Sequence, residues 1–300
     1  MGGGAPLEVR HDDAPPRLET ATPLEGDAIR PRPVPGNPTV GFVAFLDGIQ
    51  RSHVRAHVGT LPIVHGAVAA AIRERVSRRM RTWGTPRRSH ALYLPFPALP
   101  PEFLSSLAVH CELVDTLADH DGAAPTPQHP GDLAARALTA IQRRREREER
   151  HLAEAWVTSA SAPLLMDGGI ASTELVARSE HVVGAVKSHR TIYVTGESLP
   201  VIVGLREGER TTAVVLTSPR RTPVATFYLR LREPGARGPF FGLVRVEVAH
   251  RDAEAITERA DLVSRWLLAE RTPVALPDTR WDVMVYGIRE CEDYLSAILT

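Results

Sequence analysis

The sequence predicts an α/β fold, and three observations lead to this prediction. A short apolar run ending in Asp-Gly occurs at residues 39–48 and again at 164–169, which is typical of a buried strand followed by a turn. A long helical pattern over residues 132–157 lies between these two runs. Partly alternating apolar segments between residues 192 and 249 then predict further strands.

The remaining elements are assigned in chain order. Residues 1–36 are rich in Gly, Pro and acidic residues and hold few large apolar side chains, so we expect a flexible tail. Residues 66–82 begin with small residues and end with arginines, which favours a helix. Further strands are predicted at 53–58, 61–65, 90–94, 192–195, 199–205, 211–217, 223–232 and 242–249, and helices near 252–270 and 284–299.

The composition excludes several classes of protein. The 300 residues carry a formal net charge of zero, so any polyanion would have to be held by local clusters of arginine. Cys111 and Cys291 show neither metal-site spacing nor a disulfide framework, which suits a reducing compartment. The sequence has no apolar run of membrane-spanning length and no signal core, so we expect a cytoplasmic protein without a membrane partner.

Lys187 is the only lysine of the chain, since 35 of the 36 Lys and Arg residues are arginines. An ammonium is a compact point charge, whereas a guanidinium is a wide planar fork. One interpretation is that position 187 accepts only the smaller head group, for example beside a phosphate oxygen and a metal ion. The other interpretation is a surface lysine that has no special role.

Asp47 and Asp167 each end an apolar strand and precede glycine. Carboxylates at strand ends lie where the active sites of α/β folds are found, and they are the ligands that Mg²⁺ or Mn²⁺ prefers. A single Asp-Gly is more simply a turn dipeptide. Because the pattern occurs twice after buried strands, with Lys187 on another predicted strand, we favour a metal site.

A third carboxylate is expected from the long helix. Within the charge run of residues 143–150, Glu148 and Glu149 flank the apolar stripe, while Glu146 points away from it. Glu149 is the preferred candidate because it lies one turn before Leu152. The alternative is that the whole run is a solvated helix face held by i, i+4 ion pairs.

These motifs resemble the NurA nucleases. The resemblance rests on Phe-Leu-Asp47-Gly48, the helix glutamate, Leu-Met-Asp167-Gly-Gly and Val-Gly-Ala-Val-Lys187-Ser, and it covers most of residues 38–300 in order and spacing. It implies an RNase H-like domain over residues 37–300, with a mixed central sheet flanked by helices and an insertion at about 50–130.

The resemblance also implies an activity and partners. It implies a DNA nuclease in which Asp47, Glu149 and Asp167 bind Mn²⁺ or Mg²⁺ and Lys187 assists catalysis. Such a nuclease forms a homodimer and acts with a HerA-type hexameric translocase in DNA end processing or antiviral defence, and residues 1–36 are a candidate tether to that partner.

The sequence departs from the NurA pattern at two points. Ile49 stands where the family usually has serine, and the last helix lacks the usual histidine, so that Tyr286 or Glu290 substitutes or the fourth ligand is absent. The alternative hypothesis is therefore a catalytically inactive RNase H-like module that binds a translocase or nucleic acid. An aspartate-nucleophile phosphatase is disfavoured, because its Asp-x-Asp-Gly motif needs a nucleophilic aspartate two residues before Asp47, where Phe45 stands.

Arginines between residues 73 and 88 are candidates for contact with nucleic acid. On the predicted helix of residues 66–82 they would form a basic face, which either contacts phosphates or is simply solvated. The arginines concerned are Arg73, Arg75, Arg78, Arg79, Arg81, Arg87 and Arg88.

Overall fold

One large mixed sheet with helices on both faces organises the protein. The computed structural model describes residues 16–77, 79–118, 129–217, 222–236, 238–271, 274–275, 284–285 and 287–299. Twelve of the strands in this part of the chain belong to a single sheet. The predicted α/β class is therefore confirmed. Among the described helices, none combines the length and the apolar character that crossing a membrane requires.

The elements alternate between strands and helices in the middle of the chain. The strands are β1 (Arg17–Thr20), β2 (Thr22–Pro23), β3 (Pro31–Pro33), β4 (Ala44–Val58), β5 (Leu61–Val76), β6 (Arg79–Leu94), β7 (Glu112–Asp115), β8 (Leu164–Asp167), β9 (Val182–Val186), β10 (Thr191–Val194), β11 (Glu209–Thr211), β12 (Val214–Leu216), β13 (Val224–Arg230), β14 (Leu243–Ala249), β15 (Val274–Ala275) and β16 (Met284–Val285). The helices are α1 (Pro101–Ala108), α2 (Pro130–Ser159), α3 (Glu174–Ala177), α4 (Leu199–Val203), α5 (Ala253–Glu270) and α6 (Gly287–Ile298).

Strand β4 lies in the middle of the sheet and changes its mode of pairing from one side to the other. It pairs antiparallel with β5, which continues antiparallel to β6, and parallel with β8, which continues parallel to β9. The whole path runs β2-β12-β13-β14-β9-β8-β4-β5-β6-β7. The last parallel pair of β4 and β8 joins Leu46 to Met166, so the next residues, Asp47 and Asp167, lie side by side.

The two faces of the sheet are covered by different helices. Successive side chains of a strand point to opposite faces. Leu46 therefore packs with Trp156 of α2, whereas Phe45 packs with Val263 of α5 and with Cys291 of α6. Asp47 follows the direction of Phe45, toward the face that α5 and α6 cover.

The segment predicted as a helix over residues 66–82 is instead the hairpin of β5 and β6. Its alanines alternate between the faces, with Ala69 and Ala71 beneath Leu295 of α6 and Ala70 on the side of α2. The small side chains let helices approach both faces of β5, and strand pairing outweighs the helix propensity of alanine. The prediction was therefore wrong because it weighed local propensity alone.

The basic helix face that this segment was expected to carry is also absent from the described structure. Arg73 pairs with Glu290 of α6, with Nη2 and Oε1 2.5 Å apart, and Arg75 pairs with Glu270 of α5 at 2.8 Å. Both guanidiniums are largely buried and attach the hairpin to helices. Arg78 lies outside the described residues.

Two predicted domain boundaries also need correction. Residues 50–94, expected to belong to an insertion, form most of β4 together with β5 and β6 in the central sheet. Residues 16–36, expected to be part of a flexible tail, carry β1, β2 and β3. Glu25 in this segment is buried against Arg210, with Oε2 and Nη1 2.7 Å apart. Residues 1–15 of the predicted tail lie outside the described part of the chain.

One predicted strand is wrong, and the long predicted helix is confirmed. The segment at residues 199–205, predicted as a strand, begins with the short helix α4, whose Pro200 stands in the first turn, where proline is tolerated. The long helix predicted at 132–157 is confirmed as α2. It begins two residues earlier than expected, after the His129 side chain, which accepts a hydrogen bond from the backbone N–H of Gly131 at 3.0 Å.

Candidate metal centre

Three carboxylates from distant parts of the chain converge at the centre of the sheet. They belong to Asp47 of β4, Asp167 of β8 and Glu292 of α6, and one oxygen atom from each lies within 4.8 Å of the others. The proximity predicted for the two aspartates is thus observed. Because β4 and β8 are central strands, the cluster lies where their parallel pairing ends and not at an outer edge of the sheet.

The position of Glu292 depends on how α6 is attached to β4. The thiol of Cys291 is fully buried and donates a hydrogen bond to the carbonyl oxygen of Phe45 at 3.2 Å. Phe45 stands two residues before Asp47, and Cys291 stands one residue before Glu292. This contact therefore holds the two carboxylate-bearing segments side by side.

Burial and mutual repulsion change the acidity of the cluster. The backbone N–H of Gly48 donates to Oδ1 of Asp47 at 2.7 Å, and the residue is only 5% exposed. Burial raises the pKa of Asp47 to about 7, and the neighbouring charges of Asp167 and Glu292 add to this rise. The Gly48 N–H and the Lys187 charge act in the opposite direction. A bound cation would relieve this repulsion, since opposite charge favours the ionised form.

Lys187 supplies an ammonium beside the cluster, as one of the two interpretations of this lysine requires. It directly follows the last residue of β9, and its Nζ lies 2.7 Å from Oδ2 of Asp167. Its side chain is 62% exposed, so the pair contributes little to stability. The exposed ammonium is accessible to a ligand that approaches the carboxylates from solvent.

The turn after Asp167 is held by the buried carboxylate of Glu247, which does not belong to the group of three. Oε2 of Glu247 accepts a hydrogen bond from the backbone N–H of Ile170 at 2.8 Å, and Oε1 accepts one from Arg245 at 2.6 Å. A Cβ atom at Gly169 would lie 2.8 Å from Glu247, so glycine is needed at this close approach. Sequence reasoning identified the Asp-Gly-Gly motif but missed Glu247, which lies 80 residues from Asp167 in the chain.

Glu149 lies next to the cluster but outside it. Its carboxylate packs beside Gly48 on the face of α2, and Oε1 accepts a hydrogen bond from Arg145 at 2.6 Å. Burial raises the pKa of Glu149 to about 7; Arg145 lowers it and Asp47 raises it further. The third carboxylate of the cluster is thus Glu292 and not Glu149, because successive strand residues direct Asp47 and the Gly48 position to opposite faces.

The alternative glutamate of α2 is committed to other partners. Glu148 accepts hydrogen bonds from Arg87 and from Arg144. Burial alone would raise its pKa, but the two arginines outweigh burial and hold the pKa below its ordinary value. Of the two glutamates left open by the sequence, Glu149 is the one beside Asp47.

The carboxylate of the last helix that joins the cluster is Glu292. The sequence pointed instead to Tyr286 or Glu290 of the predicted last helix. Glu290 is bound to Arg73, and Tyr286 lies outside the described residues. Glu292 was missed because no residue of its own helix distinguishes it from Glu290; the distinction comes from Arg73 on β5.

The donor set of the cluster is that of a hard divalent cation. Carboxylate oxygens suit Mg²⁺ and Mn²⁺, and no thiolate or imidazole belongs to the group of three. Asp47, Asp167 and Glu292 could hold such an ion, with Lys187 beside them as the nearest described ammonium.

No model of a known protein family matches the sequence, and no curated protein matches it. The activity is therefore argued from the carboxylate cluster and its surroundings.

Proposed function

We propose that the protein is a divalent-metal-dependent DNA nuclease with an RNase H-like core. The observation that carries this proposal is the convergence of Asp47, Asp167 and Glu292 beside the ammonium of Lys187. Three carboxylates suit the metal, and an exposed cation beside them suits a phosphodiester.

The order of the central strands supports the RNase H-like assignment. Strands β4, β5 and β6 are consecutive and antiparallel, and after α2 the chain returns to add β8 and then β9 parallel to β4. The resulting order β6-β5-β4-β8-β9 is the one expected of an RNase H-like core. In that fold the first strand carries an aspartate of the active site, which Asp47 of β4 matches.

The residues of the chain have distinct parts in the proposed reaction. When bound, a divalent cation would lower the pKa of a water molecule and screen the charge on the phosphodiester. Asp47, Asp167 and Glu292 would hold that cation, and Lys187 would attract and orient the phosphate from the solvent side. Glu247 fixes the turn that follows Asp167, and Glu149 supports β4 from the other face.

The proposed partners follow from the NurA resemblance. They are DNA, a HerA-type hexameric translocase and a second copy of the chain. A cytoplasmic location fits Cys111 and Cys291, which are free cysteines in the described part of the chain. An antiviral role and a role in end processing use the same chemistry at this site.

The alternative proposal is an inactive RNase H-like module that binds a translocase or nucleic acid. The observation that favours it is the ion pair of Lys187 with Asp167, which occupies one carboxylate of the cluster. A glutamate in place of the usual histidine of the last helix also favours the inactive module.

A cleavage assay with purified protein tests the proposal. Linear DNA and circular DNA are incubated with Mn²⁺, Mg²⁺ or EDTA, and the variants are Asp167→Asn and Asp293→Asn. We expect metal-dependent cleavage by wild type and by Asp293→Asn, whose side chain is 67% exposed one residue beyond Glu292. We expect no cleavage by Asp167→Asn. Full activity of Asp167→Asn would place any active site elsewhere, and an inactive but DNA-binding wild type would favour the alternative.

A further inference from the structure

A cavity lined by arginines lies next to Lys187, on the opposite face of the sheet from Asp47. Its volume is about 330 Å³, and three guanidiniums line it, from Arg17, Arg190 and Arg245. Glu19, the one carboxylate among the lining residues that the structure describes, pairs with Arg17 at 2.9 Å, and the guanidiniums outnumber it. The hydroxyls of Ser188 and Thr191 add donors of the kind that phosphate oxygens accept.

From this cavity we infer a phosphate subsite, which binds a backbone phosphate of the DNA substrate remote from the phosphodiester at the carboxylate cluster. This inference rests on the proposed function, because it assigns the cavity to the same substrate. Its support is the arrangement of Arg245 and the position of the cavity relative to Lys187.

Arg245 is the innermost cation of the cavity. Its side chain is 11% exposed, its guanidinium lies over the ring of Tyr193 with 5.2 Å between Cζ and the ring centroid, and its Nη1 donates to Glu247. Its Nε is buried and has no hydrogen-bond partner. A buried N–H without an acceptor is unfavourable, so Arg245 carries an unpaired donor beside the cavity.

The cavity is connected to the cluster in two ways. Val186 and Ser188 line it, and these residues stand immediately before and after Lys187. Arg245 also binds Glu247, which accepts the Ile170 N–H in the turn that follows Asp167. A phosphate held by Arg245 would therefore be linked through Glu247 and the Ile170 N–H to the turn that follows Asp167.

Binding of a short fluorescent single-stranded oligonucleotide in EDTA tests the subsite without cleavage. The proteins are wild type, Arg245→Gln, the double variant Arg17→Ala/Arg190→Ala and the control Arg178→Gln. Arg245→Gln keeps a hydrogen-bond donor for Glu247. The double variant changes only the rim of the cavity, so the double variant still tests the subsite if Arg245→Gln fails to fold. Arg178 is a 73% exposed arginine outside the cavity that pairs with Glu174.

We expect both cavity variants to bind at least about fivefold more weakly than wild type, because each loses charge-assisted hydrogen bonds. The slope of log K against log salt should fall by about 0.7 for each lost phosphate contact. The control should bind as wild type does. Unchanged binding by both cavity variants, or no binding by wild type, would overturn the subsite.

The outcomes for the subsite and for the nuclease are separable. If wild type cleaves DNA while the cavity variants bind it normally, the subsite is wrong and the nuclease proposal stands. If wild type binds the oligonucleotide through the cavity but cleaves nothing with any metal, the subsite stands and the nuclease proposal is wrong.

Discussion

The carboxylate of Glu149 occupies the space that any side chain at Gly48 would need. A Cβ atom at position 48 would lie 2.3 Å from Oε1 of Glu149 and 2.9 Å from its Cγ. The glycine of the first Asp-Gly pair is therefore required by the helix behind the strand and not by the turn that the sequence predicted, because β4 continues through position 48. Asp47 and Glu149 are held on the two sides of one strand by this contact.

Replacing Gly48 by alanine should displace Glu149 and destabilise the protein. Overpacking of a close contact costs about 1–3 kcal/mol. In urea unfolding, Gly48→Ala should lower the free energy of unfolding by this amount. The second change Glu149→Ala should then cost less than it does in wild type, because it removes the side chain that clashes with the new methyl group. Gly238→Ala is the matched control, since nothing lies within 4 Å of its Cβ position. Additive effects of the two substitutions would show that the residues do not compete for space.

Glu292 and Glu290 stand two residues apart on α6 and should respond in opposite ways to substitution by glutamine. Glu292→Gln should lose most of the rise in melting temperature that Mn²⁺ produces, because a ligand is lost. Glu290→Gln should keep that rise but melt at a lower temperature without metal, because Arg73 loses its ionised partner. The expected loss is about 1–3 kcal/mol. Equal Mn²⁺ responses in the two variants would remove Glu292 from the metal centre.

Lys187→Arg should slow metal-dependent cleavage although the charge is kept. The wider guanidinium would displace the phosphate or Asp167 from a site built around a point charge, and misplacement by about 1 Å can cost roughly a hundredfold in rate. Initial rates of wild type, Lys187→Arg and Lys187→Ala in Mn²⁺ measure the effect, and thermal melting checks that the variants are folded. If Lys187→Arg cleaves as fast as wild type, position 187 does not require lysine.

The stability of the metal-free protein should fall as pH rises from about 4.5 to about 7. Burial raises the pKa values of Asp47 and Glu149 to about 7, so in this window these two groups bind more protons in the folded protein than in the unfolded chain. Stability then decreases with pH. Each pKa unit corresponds to about 1.4 kcal/mol, so the total fall amounts to several kcal/mol at most.

Unfolding in EDTA across this pH range measures the effect. Asp47→Asn should flatten the profile and raise the stability at pH values above about 7, because the buried charge is gone. Mn²⁺ should stabilise wild type more at high pH than at low pH, since it competes with protons for the same oxygens. A profile that rises between pH 4.5 and 7 in EDTA would contradict the proposed origin of these pKa values.

Parts of the site can be predicted from sequence because they depend on local patterns. Asp47 and Asp167 each end an apolar run before glycine, and parallel pairing of their strands brings them together. Glu292 cannot be predicted in this way. It stands one residue from buried Cys291 on one side, as Glu290 does on the other, and only the pairing of Glu290 with Arg73 separates their roles.

The fold, like the site, has elements that local sequence patterns predict and elements that depend on residues far apart in the chain. The pattern of α2 is long and periodic, and the structure confirms the helix. The alanines of β5 favour a helix locally but lie between two layers of helices, and this tertiary context decides their conformation. Residues 16–36 have the composition of a flexible tail, yet they are ordered in the fold. Glu25 forms a buried ion pair with Arg210, which lies far along the chain.

The first strands of the chain pair with partners that are synthesised much later. Arg17 of β1 lies opposite Thr191 of β10, which is 174 positions further on. At roughly 5–20 residues per second, the ribosome needs roughly 10–35 s to make the intervening chain. During this time Pro23 and Pro31, which stand in β2 and β3, deprive the waiting segment of backbone donors. Prolines at these positions thus leave fewer N–H groups on the waiting segment with which a neighbouring chain could pair.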